Sequence, residues 1–485
     1  MATLKHVIGG ERITPTANQW EDVINPATGE MLGSVPLDDT QALDRAVQRA
    51  AEAFEAWATT PILQRARIMF KFHDLMTRNQ ADIARSVTIE HGKTLPDASL
   101  EVARAIEVVE LAASAPSLLK GEVLPDVSRG VDTMMVRTPL GVVAGITPFN
   151  FPAMVPLWMI PPALVSGNTF VLKPSEKTPL TSLLMMELWE EAGLPPGVLN
   201  VVLGGRSTVD QILTHPTIKA VSFVGSQPVA EYIYRTAAAA GKRVQALGGA
   251  KNYHIVMPDA HLPRTVEALM GSAFGSAGER CLAGSVAIAV GSAAERLIPA
   301  LRQAIRDWKV GSGLDETNDM GPVIREQSRE RISHFIRTGV EEGAALLEDG
   351  RENPVAAEGF FLRPTLFDEV TSTMTIAREE IFGPVLSLMR APDLKTAVDM
   401  ANQSQFGNTA TIYTESGAAA RYFRDHIEAG MVGVNIGVPA PVAIFPFAGW
   451  KHSFYGDLHA TGMDAFRFYT EEKVVISRFW GTEQP

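Results

Sequence analysis

Gly141-Val-Val-Ala-Gly-Ile146 and Thr169-Phe-Val-Leu172 mark the two ends of a stretch with no charged residue between Arg137 and Lys173. Both runs have strand length, and both are apolar throughout, as a strand is when it is covered on both faces. Pro139, Pro148, Pro152, Pro156, Pro161 and Pro162 interrupt the stretch. A membrane-spanning helix could not continue through them without losing backbone hydrogen bonds. The stretch therefore reads as protein interior.

Further short apolar runs follow at 198–203, 221–224 and 254–257, with a helix predicted over 179–192 that stops at Gly193. Strands of this kind separated by helices predict a doubly wound parallel sheet. A second alternating set has strands at 286–290, 385–389, 409–413 and 432–435, and helices over 296–308 and 326–341. The fold class is α/β with two α/β domains. Upstream, Asp38-Asp39-Thr40 can cap a helix, a second helix begins at Pro61, and a third runs over 96–115. Residues 127–138 read as two short strands about Arg129-Gly130, and 470–479 as an edge strand, exposed unless another subunit pairs with it.

The chain of 485 residues is 46% hydrophobic and 20% charged, with a formal net charge of −12. That balance argues against nucleic acid and membrane partners. One cysteine cannot form an intrachain disulfide and fits a reducing compartment. No signal or transit segment is evident at Met1-Ala-Thr-Leu-Lys-His6, so a cytoplasmic enzyme is expected. The ten histidines are scattered, and no metal site is expected.

The one cysteine lies in Phe274-Gly-Ser-Ala-Gly278-Glu-Arg-Cys281-Leu-Ala-Gly284. A lone cysteine is ordinarily a small core hydrophobe. Here Gly275 and Gly278 permit a sharp turn, and Arg280 supplies a field favouring the thiolate, so Cys281 is a candidate nucleophile. Asn150, between Pro148 and Pro152 at a strand end, can stabilise an oxyanion; a turn asparagine is the other reading. No Gly-x-Gly-x-x-Gly occurs. Instead Lys173-Pro-Ser-Glu176 offers a carboxylate for ribose hydroxyls, and Phe223-Val-Gly225-Ser226 offers backbone N–H groups and a hydroxyl to a pyrophosphate.

With these motifs, and with Asn25-Pro-Ala-Thr-Gly29 and Glu379-Glu380-Ile-Phe382-Gly-Pro384, the chain resembles the aldehyde dehydrogenase superfamily over nearly its full length. The resemblance implies Cys281 as nucleophile and Asn150 as oxyanion donor. It implies NAD held by Phe149, Lys173, Glu176, Gly225, Ser226, Glu380 and Phe382. It also implies an NAD-binding domain of residues 1–118 and 139–246, a catalytic domain of 247–449, and an oligomerisation element of 119–138 and 464–485. The assembly would be a homodimer or homotetramer.

Hydrolytic members carry a glutamate before a Leu-Gly-Gly-Lys stretch. Here Val244-Gln-Ala-Leu247-Gly-Gly-Ala-Lys251 has Leu247 in its place. Water needs a base and a thiol needs less help, so the expected acceptor is coenzyme A. A carboxylate reaching in from elsewhere is the competing explanation. Arg280 beside Cys281 could bind a carboxylated aldehyde bidentately. Arg104, read alone, is a surface residue paired with Glu101 or Glu107. Both arginines, the missing base and the Phe447-Ala-Gly-Trp-Lys-His-Ser segment are similar to the branch that oxidises methylmalonate or malonate semialdehyde, with loss of carbon dioxide and acylation of coenzyme A. Trp158 and Phe447 would wall the aldehyde pocket, plain core being the alternative. The other activities weighed are a hydrolytic dehydrogenase giving a free acid and a non-catalytic structural relative.

Overall fold

Val142–Ile146 and Thr169–Lys173 pair in parallel, from Val142↔Thr169 to Ile146↔Lys173, at the middle of an eight-stranded sheet. The structure is a computed structural model that describes residues 3–352, 355 and 358–480. Leu199–Val201 adds on one side, and Ile218–Val224 and then Arg243–Leu247 on the other, all parallel. Antiparallel strands His6–Ile8 and Glu11–Ile13 close one edge, and Phe454–Tyr455 the other. Every residue of the two central strands is buried, which accounts for their unbroken apolar sequence. The strand order reverses between Val142–Ile146 and Ile218–Val224, so a crevice opens at their carboxyl ends. Asn150 and Ser226 follow those two strands.

The chain leaves this sheet through residues 248–251 and enters a second sheet at Asn252–Val256. Its seven strands run in the order Ala345–Glu348, Thr365–Asp368, Val385–Ala391, Gly284–Val290, Asn252–Val256, Thr409–Tyr413, Met431–Val434. All but the first are parallel. Each sheet has its own apolar core.

Two expectations about the N-terminal helices are revised. A helix, Gln80–His91, lies between those predicted and ends on Gly92 at φ 94°. The next helix is Leu95–Ala113, capped by Thr94. The proline-rich stretch is protein interior, as expected, and holds a short helix: Met154–Val165 continues through Pro161 and Pro162, with all but Met154 buried. Contacts with the core on every side stabilise it where hydrogen bonds are lost. The terminal strand Thr470–Ser477 is an edge strand, as expected, and largely exposed on its sheet. It lies antiparallel to Val131–Pro139, which also pairs with Glu122–Ser128 in the hairpin. Residues 481–485 of the expected oligomerisation element lie outside the described residues.

Among the described residues no helix is long and apolar enough to cross a membrane, and no group of three or more His, Cys, Asp or Glu is arranged to hold a metal ion.

Candidate active site

Cys281 follows an unusual piece of backbone. Ser276, Ala277 and Gly278 are all left-handed, at φ 49°, 53° and 70°. A Cβ on Gly278 would stand 2.3 Å from the Gly383 carbonyl oxygen, so only glycine fits. Asp97 holds the strained turn by accepting from the Ser276 N–H (3.0 Å) and hydroxyl (3.1 Å). Gly275 has an ordinary φ of −53° and does not make the turn. Its missing side chain serves packing, since a Cβ there would lie 2.6 Å from the Arg280 guanidinium. The Cys281 carbonyl accepts from the side-chain amides of both Asn252 and Asn408, each at 2.9 Å. Asn252 stands beside the Leu247–Lys251 motif, but nothing in sequence marks Asn408.

Burial and the charge of Glu380 push the Cys281 thiol up to about 12, against the opposing pull of the Cys281 and Leu282 N–H groups and Arg280. Arg280 does favour the thiolate, as expected, but burial and Glu380 outweigh it and the group stays a thiol. Its guanidinium is already committed: Nη2 to Asp97 (2.6 Å), Nε to the Ser276 hydroxyl (3.1 Å) and Nη1 to the Gly271 carbonyl (3.2 Å). Asp97, 184 positions upstream of the cysteine, carried no signal in the sequence.

Asn150 is buried, and its Nδ2 donates to the Glu279 carbonyl at 3.0 Å. Its backbone carbonyl accepts from Lys93 Nζ at 2.6 Å, and Lys93 is paired with Glu101 at 2.6 Å. Glu279 itself is pushed up to about 8 by burial, and its Oε2 lies 3.9 Å from His91 Nε2, both without hydrogen-bond partners among the described residues.

One cavity of about 200 Å³ brings together Cys281, Arg280, Arg104, Trp158 and Phe447. The Trp158 and Phe447 rings are 4.7 Å apart. Arg104 is half-buried on Leu95–Ala113 and paired with Glu107 at 3.0 Å; Glu101, the other partner considered, turns inward to Lys93. Leu247 is 3% exposed and belongs to the apolar cluster against which Cys281 packs.

The cofactor candidates lie along the crevice. Lys173 Nζ donates to Glu176 at 3.0 Å. Burial opposes ionisation of Glu176, but the charges of Lys173 and Lys177 and hydrogen bonds prevail and its pKa is lowered. Gly225 has no room for a side chain, because a Cβ would meet the Phe223 ring at 2.4 Å. Ser226 is exposed at the N-terminus of helix Gln227–Ala239, and its side chain makes no capping bond. The N–H groups and hydroxyl there suit a pyrophosphate. Phe149 and Phe382 meet edge to face at 5.8 Å. Glu380 accepts from the Ala250 N–H at 2.9 Å, and burial pushes its carboxyl up to about 7. A carboxylate thus does approach the segment after Leu247 from elsewhere in the chain.

A parallel nucleotide-binding sheet, a second α/β sheet and a cysteine held between them define a dehydrogenase architecture, and residues 13–475 match the aldehyde dehydrogenase family, to which this chain belongs. It is 53% identical over 476 residues to the malonate-semialdehyde dehydrogenase of Halalkalibacterium halodurans, covering 98% of each chain. The crystal structure of methylmalonate-semialdehyde dehydrogenase from Oceanimonas doudoroffii is 50% identical, with TM-score 0.97 and 99% of each chain covered. A chain of Sinorhizobium meliloti 1021 solved in complex with NAD is 46% identical, with TM-score 0.98 and the same coverage.

Proposed function

We propose that this enzyme oxidises methylmalonate semialdehyde or malonate semialdehyde with NAD and passes the acyl group, after loss of carbon dioxide, to coenzyme A. One observation carries the reading: the only cysteine opens into a cavity with two arginines, while the expected base position holds buried Leu247. The named substrates of the relatives and the NAD complex of the Sinorhizobium chain support it.

In this mechanism Cys281 loses its proton to solvent, its sulfur bonds to the aldehyde carbon, and the carbonyl π pair moves onto oxygen. Asn150 Nδ2 and the Cys281 N–H donate to the resulting oxyanion. NAD, when bound along Glu176, Ser226 and Glu380, supplies the acceptor for the hydride that leaves that carbon. Phe149 and Phe382 wall the reacting end, and Lys173 and Gly225 shape the crevice. The thioester on Cys281 then carries a β-carboxylate. Its carbon–carbon bond breaks, carbon dioxide departs, and the electron pair is held as an enolate by the same two donors until carbon is protonated. The thiolate of coenzyme A attacks the thioester carbon, and Cys281 leaves as thiolate. Arg280 and Arg104 bind the carboxylate beforehand, and Trp158 and Phe447 enclose the carbon chain.

The NAD-binding unit is residues 1–118 and 139–246, the catalytic unit 247–449, and the three-stranded sheet of 119–138 with the tail from 464 joins copies into a homodimer or homotetramer. Exposed Val123, Leu124, Val474 and Ile476 on that sheet support an assembly surface.

Product analysis with malonate semialdehyde and NAD, with and without coenzyme A, tests the reading. Acetyl-coenzyme A and carbon dioxide are expected. Free acid formed at the same rate without coenzyme A would overturn it. That outcome belongs to the second reading, hydrolysis with Glu380 as base, which the approach of Glu380 to the segment after Leu247 favours.

A further inference from the structure

Lys93 and Glu101 form an ion pair whose side chains are both 0% exposed. Taking two charges out of water costs several kcal/mol, and such a pair adds little net stability, so its contacts are the better guide to its role. Both charges are spent on one short segment. Lys93 Nζ donates to the Asn150 carbonyl at 2.6 Å and lies 4.2 Å from the centre of the Phe151 ring. Glu101 Oε1 accepts from the Ala153 N–H (2.9 Å) and the Met154 N–H (3.2 Å), two of the unpaired donors at the start of helix Met154–Val165. The pair therefore grips residues 150–154 at both ends.

The backbone beneath the lysine is itself fixed. A Cβ on Gly313 would stand 2.3 Å from the Lys93 carbonyl oxygen, and one on Gly321 would stand 1.9 Å from that of Gly92. Lys93 consequently reaches Asn150 from an anchored base. The segment it grips begins with the proposed oxyanion donor and continues into Phe151, Met154 and Trp158 of the reaction cavity.

We infer that Lys93 and Glu101 are positioning residues for the oxyanion donor, their ion pair fixing the Asn150 backbone so that Nδ2 points at the reacting carbonyl. The inference rests on the assignment of Asn150 in the proposed mechanism. Glu101 lies at the wall of the reaction cavity with its carboxylate turned to Lys93 and to the Ala153 and Met154 N–H groups, so its role runs through the segment it holds. A misplacement of about 1 Å costs on the order of 100-fold in rate, which is the scale on which such a grip matters.

The test is the double variant Lys93→Met/Glu101→Gln, which removes both charges and keeps an acceptor for the Ala153 N–H. Three reactions of the full-length enzyme are compared: the first-turnover formation of NADH from malonate semialdehyde, acylation of Cys281 by p-nitrophenyl acetate read as the burst of p-nitrophenol, and alkylation by iodoacetamide. The first two pass through an oxyanion at Cys281, whereas alkylation at a saturated carbon does not. The expected result is a fall of roughly 10- to 100-fold in the first two, with alkylation and the circular dichroism spectrum unchanged. Uniform loss of all three, or loss of none, would overturn the inference. Should the double variant not fold, Glu101→Gln alone is expected to slow the p-nitrophenol burst several-fold while sparing alkylation; an unchanged burst rate overturns the inference. Asn150→Ala is run alongside. If it spares the p-nitrophenol burst, the oxyanion assignment itself fails. If it alone shows the selective loss, only the role of Lys93 and Glu101 fails.

Discussion

The side-chain amide of Asn150 lies 3.0 Å from the carbonyl oxygen of Glu279, two residues before Cys281. One amide hydrogen is thereby tied to the loop that carries the thiol, and the other is left to meet an oxyanion. Asn150→Ala should lower kcat by roughly 10²- to 10³-fold while leaving the Kd for NAD unchanged. Steady-state rates and an NAD titration check this, and an equal loss of NAD binding would speak against it.

The thiol predicts a second behaviour. With Cys281 pushed up to about 12, the unliganded enzyme holds it as thiol at neutral pH. Iodoacetamide alkylation should then rise roughly tenfold per pH unit between pH 7 and pH 10, because the thiolate fraction does. Mass spectrometry of the modified protein measures the rate. A plateau near pH 8 would mean a thiol activated without cofactor.

Glu279 gives a pH dependence of stability. Its carboxyl is pushed up to about 8 in the fold, against an ordinary value of 4.5 when exposed. A raised carboxyl binds its proton more tightly in the folded state, so stability is fully present below about 4.5 and is lost as pH rises toward 8. Glu279→Gln keeps an acceptor for the Ile324 N–H and removes that loss. The variant should gain more in Tm over the parent enzyme at pH 8 than at pH 5. Equal gains at both would place the effect outside titration.

Gly275 offers a way to disturb substrate recognition without touching a charge. A methyl group at this position meets the Arg280 guanidinium at 2.6–2.9 Å, while the φ of −53° tolerates any residue. Gly275→Ala should push Arg280 off Asp97 and raise the KM for malonate semialdehyde about tenfold, the order expected for loss of a charged hydrogen bond. The KM for propanal should not change. Parallel increases would remove Arg280 from carboxylate binding.

Leu247→Glu restores the carboxylate that hydrolytic relatives carry. It should produce free acid without coenzyme A, at a stability cost of about 3 kcal/mol for an imperfectly paired buried group. Product analysis and thermal melts read the two effects. Continued dependence on coenzyme A would show that another feature excludes water.

Much of this was legible in the sequence, for identifiable reasons. Strands covered on both faces announce themselves as apolar runs, and the helix read over 326–341 is Glu326–Glu341. Cys281, Arg280, Arg104, Trp158 and Phe447, each singled out in the sequence, line one cavity. Gln80–His91 escaped because its pattern is weakly amphipathic, although Gly92 at its end was a readable stop. Asp97, Asn408 and the Lys93–Glu101 pair could not be read, since each acts on a residue far along the chain. Asp97 limits the field of Arg280 on the cysteine, balancing its charge with a carboxylate that only the folded chain brings near.

The pairing of Thr470–Ser477 with Val131–Pro139 also sets a timetable for synthesis. The hairpin of Glu122–Ser128 and Val131–Pro139 emerges from the ribosome more than 300 residues before the strand that completes it. Throughout that interval one edge of Val131–Pro139 lacks its native partner, and an unpaired edge recruits whatever strand is nearest. A chain cut short before Thr470 would still contain Cys281 and every residue that lines its cavity, yet carry that open edge permanently.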